Sequence, residues 1–80
     1  MYIKLIRKPE VLCKTGWSKS TLYNRIRSEL FPPPVSIGDR AVAFIEFEVG
    51  ETLKALIKGY SPEQMKALVA DLVAQRQVMD

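Results

Sequence analysis

The sequence contains no histidine and only one cysteine, Cys13, among its 80 residues. Zinc sites usually take several cysteine or histidine ligands, and the common nucleophilic dyads and triads use an imidazole. A single cysteine also cannot close an internal disulfide, and we expect Cys13 to lie in the core. We therefore expect a protein with no catalytic activity, no metal and no cofactor.

Long apolar runs are missing as well. The stretch from Met1 to Arg7 is interrupted by charge and is far shorter than a signal or membrane segment. We therefore expect a cytoplasmic protein with no membrane partner. Within this stretch, Ile3 and Leu5 alternate with Lys4, which predicts a short edge strand or an extended arm packed on the body.

The length and the distribution of charge indicate one small domain with a basic half. A chain of 80 residues buries only one modest core. Eight basic and three acidic residues lie through Ile45, which gives a net charge of +5, whereas four basic and six acidic residues from Glu46 onward give −2. A basic half attracts DNA of any sequence, although charge by itself defines no site.

The segment from Thr15 to Ile26 is the most informative part of the chain because it predicts a helix-turn-helix. Pro9 suits the first turn of a first helix over roughly residues 9 to 15. Gly16 can adopt the left-handed backbone that ends this helix, and Ser18 is a preferred N-cap for the next one. We expect the second helix to continue to about Leu30, where a proline run follows.

The predicted second helix has two different sides. Leu22 and Ile26 lie four residues apart and point to the core. The opposite side carries polar and basic side chains that could contact DNA: Lys19, Ser20, Tyr23, Asn24 and Arg27. Such groups donate to phosphate oxygens, and asparagine or arginine can make paired hydrogen bonds with a base edge.

Two other interpretations of this helix stay open. Polar side chains on one face of an amphipathic helix are often only solvated. Tyr23 could also bury its ring against Phe31 or Pro32 and present only its hydroxyl to the surface.

A small β-hairpin is predicted after the helix-turn-helix. Three prolines, residues 32 to 34, hold the chain extended, and residues 35 to 37 then alternate as in a strand. Gly38 and Asp39, with Arg40 beside or within the turn, favour a tight hairpin, and Ala41 to Ile45 form the return strand. In this wing we expect Ser36 and Arg40 to contact DNA.

Two further helices are predicted. The first spans Glu46 to Lys58 and is ended by Gly59, and its acidic residues Glu46, Glu48 and Glu51 are expected to be solvated at or near its start. Its apolar stripe consists of Phe47, Leu53, Leu56 and Ile57. With the helix-turn-helix and wing, it completes a DNA-binding unit over residues 1–59. We expect Trp17, Leu22, Ile26, Phe44 and Leu53 to form the core.

The last helix begins at a capping box, because Ser61 and Gln64 flank a proline at the first helical position. Its apolar stripe consists of Met65, Leu68, Val69, Leu72 and Val73. This segment, residues 60–80, could fold back onto the domain core or pair with the same helix of a second copy, forming a homodimer. It could also bind another protein, such as an integrase.

Several separated segments occur in the order that is typical of a known family. They are Pro9-Glu10-Val11, Thr15 through Tyr23, Phe31-Pro32, Gly38 through Val42, Phe44 through Glu46, and Glu48-Val49. Over roughly residues 4 to 59 the chain resembles the AlpA family of small phage-type regulators and excisionases. The resemblance implies a mainly helical fold with a small β-hairpin wing, which is a MerR-like winged helix-turn-helix, here with an extra C-terminal helix.

The chain departs from the family pattern in three places. Phe44 stands where the family usually has tryptophan, which leaves an aromatic packing role in place. Gly50 falls inside a predicted helix, at a cost of about 1 kcal/mol relative to alanine. Residues 60–80 extend beyond the usual end of the family.

The resemblance also implies a role. It implies a nucleoid-associated protein encoded on a prophage or integrative island, which binds double-stranded DNA near an integrase gene or attachment site. There it would act as a transcriptional regulator, an excisionase (recombination directionality factor) or both, alone or as a cooperative oligomer. The alternatives are a protein-interaction adaptor and an antitoxin-like repressor that binds a partner through the last helix. We expect no small-molecule substrate.

Overall fold

The computed structural model describes residues 3–78, so that Met1, Tyr2, Met79 and Asp80, at the ends of the predicted segments, lie outside the described residues. It contains three short strands and four α-helices, followed by a 3-10 turn. In chain order they are β1 (Leu5–Ile6), α1 (Lys8–Thr15), α2 (Lys19–Arg27), β2 (Val35–Gly38), β3 (Ala41–Ile45), α3 (Glu46–Ile57), α4 (Pro62–Gln75) and the 3-10 turn (Arg76–Val78). No helix within residues 3–78 is long and apolar enough to cross a membrane. The mainly helical winged fold expected from the sequence is confirmed.

The helix-turn-helix forms as its sequence predicts. Gly16 adopts a left-handed conformation with φ of +76°, and its N–H donates to the carbonyl of Leu12 at 2.8 Å. Ser18 caps α2, because its hydroxyl accepts from the N–H of Thr21 at 3.2 Å. These two local interactions set the break between α1 and α2.

Helix α2 ends at Arg27, three residues earlier than predicted. Glu29 adopts a left-handed conformation with φ of +63°, and its N–H donates to the carbonyl of Ile26 at 3.1 Å. The N–H of Leu30 donates to the carbonyl of Arg25 at 2.8 Å. This pair of bonds is a Schellman ending, a geometry that usually selects glycine, so the sequence contained no clear signal for it.

The strands form a three-stranded antiparallel sheet in the order β1, β3, β2. The predicted N-terminal strand is present, but its inward residue is Ile6, while Ile3 and Leu5 are exposed. The reason is the register, since Ile6 pairs with Phe44 and shares its buried face.

The wing turn is displaced by one residue from Gly38 and Asp39, so that Arg40 lies within it, which is one of the two placements that the sequence left open. Gly38 pairs with Ala41, so the two turn residues are Asp39 and Arg40 rather than Gly38 and Asp39. The displacement arises because Ile37 is an extra residue between the paired positions of β2, which makes a β-bulge. Arg40 therefore lies in the turn itself.

The core is centred on Phe31, which is fully buried although the sequence pattern did not predict it as a core residue. Its ring meets Trp17 and Phe44 edge to face, with centroids 5.5 Å and 6.1 Å away. The buried cluster consists of Ile6, Val11, Leu22, Phe31, Phe44 and Val49, with Leu12, Trp17, Ile26 and Leu53 packed against it. All five predicted core residues belong to this assembly.

Cys13, in contrast, is exposed and is not a core residue. Val11 and Leu12 take the inward side of α1, and the helical rotation carries the next residue outward.

Helix α3 buries a different face from the one predicted. Its buried residues are Glu48, Val49, Thr52 and Ala55. Phe47 and Ile57 are instead 58% and 85% exposed, while Leu53 packs against the core cluster. The hydroxyl of Thr52 donates to the carbonyl of Glu48 at 2.8 Å, so a polar residue is accommodated inside.

Helix α4 folds back and packs on α3. The predicted capping box is present, with the Ser61 hydroxyl accepting from the Gln64 N–H at 3.2 Å and the Gln64 side chain accepting from the Ser61 N–H at 2.9 Å. Met65, Val69 and Leu72 are buried within the chain. Leu68 and Val73, the other two residues of the candidate partner face, are only partly buried.

An ion pair fixes the end of α4. Arg76 donates through Nε to Oε2 of Glu48 at 2.8 Å. One of its terminal nitrogens, Nη2, donates both to Oε1 of Glu48 and to the carbonyl of Pro33, the latter at 2.8 Å. Glu48 is therefore a buried partner rather than a solvated helix-start residue. The Glu48 carboxylate accepts two of these bonds and thereby raises the pKa of Arg76, although burial of the guanidinium lowers it. A raised pKa keeps the Arg76 guanidinium charged at every pH below the ordinary pKa of arginine.

Candidate nucleic-acid interface

The outward face of α2 carries the side chains that the sequence assigned to it. Leu22 is fully buried and Ile26 packs on the core, which turns the remaining sides of the helix outward. The exposed set consists of Lys19, Ser20, Tyr23, Asn24 and Arg27. No acidic residue lies in α2. The face therefore presents hydrogen-bond donors, a carboxamide and positive charge to the solvent.

Asn24 and Arg27 are neighbours on this face. The guanidinium of Arg27 donates to Oδ1 of Asn24 over 3.5 Å, a long and exposed bond. The contact is easily exchanged for a contact with another polar molecule, and it leaves the amide hydrogens of Asn24 available. A carboxamide and a guanidinium side by side can read a base edge and a phosphate together.

Tyr23 does not bury its ring against the proline run, since it is 45% exposed and Phe31 packs instead on Trp17 and Phe44. Its hydroxyl accepts a hydrogen bond from the ammonium of Lys8, which lies 4.6 Å from the ring centroid. Tyr23 thus links the outward face of α2 to the start of α1. Lys8 is not among the candidate residues predicted from the sequence.

The wing presents its two candidate residues to the solvent. Ser36 and Arg40 are both exposed, and the Ser36 hydroxyl donates to the carbonyl of Gly38 at 3.4 Å. Arg40 has a φ of +59°, a left-handed conformation that is uncommon for a residue with a Cβ atom. The turn therefore holds an arginine in a conformation that glycine would adopt more easily.

A cleft of about 630 Å³ joins the wing to the helices. Its lining consists of Arg7, Lys8, Pro9, Leu12, Lys19, Arg40 and Val42. The fold thus brings Lys19 of α2 and Arg40 of the wing to one concave surface and adds Arg7 and Lys8 from the start of α1. Sequence reasoning missed these last two, because only their basic character, and not a periodic pattern, distinguished them.

Most cations elsewhere have internal partners. Oε2 of Glu46 lies 3.7 Å from Nζ of Lys4 and 3.9 Å from Nζ of Lys14. The guanidinium carbon of Arg25 lies 4.7 Å from the centroid of the Trp17 ring. Among the residues that the structure describes, no carboxylate lies within 4.0 Å of the ammonium or guanidinium groups in the cleft. Within residues 3–78, no three cysteine, aspartate or glutamate side chains lie close enough together to hold a metal ion.

A second cleft, of about 530 Å³, lies between the end of α2 and α4. It is mainly apolar, and its walls include Ile26, Phe31, Val69 and Val73. Val69 and Val73 belong to the stripe that the sequence offered as a partner face, so one side of that stripe borders this cleft.

Comparisons with known proteins agree with this architecture. Residues 4–55 match the model of the family described as prophage CP4-57 regulatory protein (AlpA). This range contains the helix-turn-helix and the wing and ends within α3, before α4. A protein of Enterobacteria phage P4, named uncharacterized protein ORF88, is 41% identical over 56 residues, which are 70% of this chain and 64% of the phage protein.

The chain therefore spans less than two thirds of the length of that relative. No solved structure matches the present chain. Because the family model covers more than half of the chain, including all of the elements that form the exposed basic surface, this protein belongs to the AlpA family of prophage regulatory proteins.

Proposed function

We propose that this protein binds double-stranded DNA at specific sites and regulates transcription, excision of an integrated element, or both. One observation supports the proposal most directly: the exposed face of α2 combines Asn24 with basic residues and continues to Arg40 through a cleft lined by cations. Membership in a family of prophage regulatory proteins supports the regulatory setting. The proposed function requires the protein to work in the cytoplasm, on the nucleoid.

In the proposed complex, α2 enters the major groove. Asn24 reads a base edge through its carboxamide, helped by Lys19 and Ser20 near the start of the helix. Arg27 contacts the adjacent backbone, having exchanged its long bond to Asn24 for a phosphate. The N-capped start of α2 adds the positive end of the helix dipole on the same side.

The wing contacts the backbone next to the groove. Arg40 provides the cation and Ser36 a hydroxyl donor, and both side chains are exposed in the free protein. Contacts of this kind set the register of the protein on the duplex and the salt dependence of binding, whereas contacts with base edges select the sequence.

The first experiment is a gel shift with DNA that flanks the gene of this protein, at moderate salt and with excess random competitor. Binding that survives the competitor supports site-specific recognition. Absence of binding to either DNA would contradict the proposal and would favour an adaptor that acts through α4.

Asn24→Ala tests the role of the recognition helix. We expect it to weaken binding to the specific site by about 1 to 3 kcal/mol and to relax discrimination at one base pair, while binding to random DNA changes little. Gln75→Ala is the matched control, because Gln75 is an exposed carboxamide on α4 that bonds only to Asp71 among the described residues. An equal loss on specific and random DNA would show that Asn24 does not read a base.

The choice between transcription and excision needs a genetic test. If the protein directs excision together with an integrase, deletion of its gene should abolish the excised circle while the integrase is still expressed from a separate promoter. If it regulates transcription only, supplying the integrase in this way should restore excision. A polymerase chain reaction across the rejoined ends distinguishes the two results.

A further inference from the structure

We propose that the cleft between α1, α2 and the wing binds backbone phosphates of duplex DNA, with Arg7 and Lys8 as phosphate contacts outside the recognition helix. The inference rests on the proposed DNA-binding function and adds a contact surface to it. The partner chemistry is a run of phosphodiester groups, which carry one negative charge each.

The charge of the cleft comes from three different elements. Arg7 is the N-cap residue of α1 and Lys8 is its first residue, Lys19 is the first residue of α2, and Arg40 lies in the wing turn. The residues that line the cleft include no acid. A concave surface lined by charges of one sign concentrates the electrostatic potential, which attracts a ligand of opposite sign.

None of these cations forms an ion pair with a carboxylate of the described residues. Lys4 and Lys14, which belong to the same basic half, both pair with Glu46, whereas the four cleft cations have no carboxylate of residues 3–78 within 4.0 Å. Gathering four like charges costs free energy in the isolated protein. A polyanion that binds across them removes this cost, so the arrangement favours an external partner.

The walls of the cleft fit a nucleic-acid strand better than a small free anion. Pro9, Leu12 and Val42 provide apolar surface beside the cations, and this surface can pack against the sugars that separate successive phosphates. Three of the four cations are exposed and Lys8 is half-buried, so they surround an open groove rather than an enclosed pocket.

Tyr23 acts as a positioning residue for Lys8. Its hydroxyl accepts a hydrogen bond from the Lys8 ammonium, which places that charge between the cleft and the outward face of α2. The ammonium keeps further hydrogens for a phosphate oxygen, since it carries three donors. Tyr23 therefore contributes to binding through Lys8 and not by touching the backbone itself.

The test is a salt series with the full chain and a short duplex of random sequence, which needs no knowledge of the operator. Arg7→Ala and Lys8→Ala should each lower the slope of log affinity against log salt by about 0.9, between about 50 and about 200 mM salt. The same loss corresponds to about fivefold weaker binding at about 0.15 M salt. Lys58→Ala, which removes an exposed lysine in the turn after α3, is the matched control and should change neither quantity.

Charge-preserving variants separate electrostatic loss from damage to the fold. Arg7→Lys and Lys8→Arg should keep the wild-type slope. If an alanine variant unfolds, as monitored by circular dichroism, Lys8→Gln and Arg7→Gln replace it and should give the same reduced slope. Inorganic phosphate, matched to chloride in ionic strength, should displace the duplex no better than chloride does, and tighter competition by phosphate would identify a small-anion pocket instead.

A double-mutant cycle tests the role of Tyr23. Tyr23→Phe removes only the hydroxyl, so it should weaken binding in the wild-type background by less than Lys8→Ala does. It should have no effect when Lys8 is already alanine. Additive losses would mean that Tyr23 contacts DNA independently, which would overturn its positioning role.

The outcomes distinguish this inference from the proposed function. If the wild-type protein binds no duplex, the proposed function itself fails. If the wild-type protein binds DNA but Arg7→Ala and Lys8→Ala keep its salt slope and affinity, the cleft is not a phosphate site. A loss of affinity with an unchanged slope would equally overturn the inference, because it would indicate a structural rather than an ionic effect.

Discussion

Helices α2 and α4 are both capped by a serine side chain, but they serve opposite purposes in this fold. Helix α4 buries Met65, Val69 and Leu72 and is fixed at its end by the ion pair of Arg76 with Glu48. Helix α2 fully buries only Leu22 and exposes polar and basic side chains over the rest of its surface. One helix contributes mainly buried area, and the other mainly an accessible chemical surface.

The same contrast holds for charge. In the C-terminal half, two of the four cations lie in ion pairs, Lys54 with Glu51 and Arg76 with Glu48. In the N-terminal half, the cations around the cleft find no carboxylate among residues 3–78. Charges that the fold gathers but does not neutralise cost stability in the free protein. This difference supports the proposal that the N-terminal half binds an external, negatively charged partner.

Backbone conformation follows the contrast as well. Helix α3 ends in a Schellman motif with Gly59 in the left-handed position, whereas α2 ends in the same motif with Glu29 there. Arg40 in the wing is also left-handed. The half that carries the candidate interface thus holds both non-glycine residues with positive φ in the described chain, where the backbone favours glycine.

The largest expected effect is on stability, from Arg76→Ala. It removes the partner of a carboxylate that is only 4% exposed and also leaves the Pro33 carbonyl without its donor. We expect the free energy of unfolding to fall by about 3 kcal/mol, measured by urea denaturation with an unchanged m value. Arg76→Lys should be intermediate, because lysine keeps the charge but not the paired geometry.

The control is Lys54→Ala, which breaks the exposed pair with Glu51. It should change the free energy of unfolding by less than about 0.5 kcal/mol. If Arg76→Ala and Lys54→Ala lowered the free energy of unfolding equally, the buried ion pair would stabilise the protein no more than the exposed one. The contrast between the two halves would then not extend to stability.

Arg40→Gly should separate stability from binding. Glycine adopts a φ of +59° without steric cost, so the free energy of unfolding should stay constant or rise by up to about 1 kcal/mol. Loss of the cation should nevertheless weaken binding to specific and random DNA by about fivefold at about 0.15 M salt. Urea denaturation and a gel-shift salt series measure the two effects.

Glu29→Gly is the matched control, because it relieves the same kind of backbone strain without removing a cation. It should stabilise the protein without weakening DNA binding. If Arg40→Gly binds DNA as well as the wild type, the wing does not contact the duplex.

The smallest expected effect comes from Gly50→Ala, within α3. A Cβ atom built at Gly50 meets no atom within 4 Å apart from the backbone of its own helix, and alanine favours the helix by about 0.5 to 1 kcal/mol. We expect a small rise in melting temperature and unchanged DNA affinity. A lower melting temperature would mean that α3 needs the flexibility of glycine at this position.

Much of the local structure was predictable because short-range chemistry determines it. Gly16, Ser18 and the capping box at Ser61 mark helix ends through bonds to their own neighbours. The polar face of α2 followed from its periodicity. The end of α2 at Arg27 was mispredicted, and the position of Arg40 beside or within the wing turn was left open, because Glu29 and the bulge at Ile37 have no strong sequence signal.

The core and the charge pairs were harder to predict. Phe31 lies in an irregular segment, so no period identified it as the centre of the core. The position of Glu48 near the start of α3 predicts a solvated side chain. Glu48 can be buried because its carboxylate pairs with Arg76, which lies 28 residues away in the chain. Similarly, the stripe predicted for α3 failed at Phe47 and Ile57, because the position of α4 decides which face of α3 is covered.

The sequence by itself determined where the helices and the wing form and which face of α2 is polar, because caps, turns and periodicity act between residues a few positions apart. Only the tertiary structure decided that Arg7, Lys8, Lys19 and Arg40 surround one cleft and that Glu48 is buried against Arg76. These arrangements depend on how strands and helices pack across the whole chain. The local sequence around each residue does not indicate which distant residue it will contact.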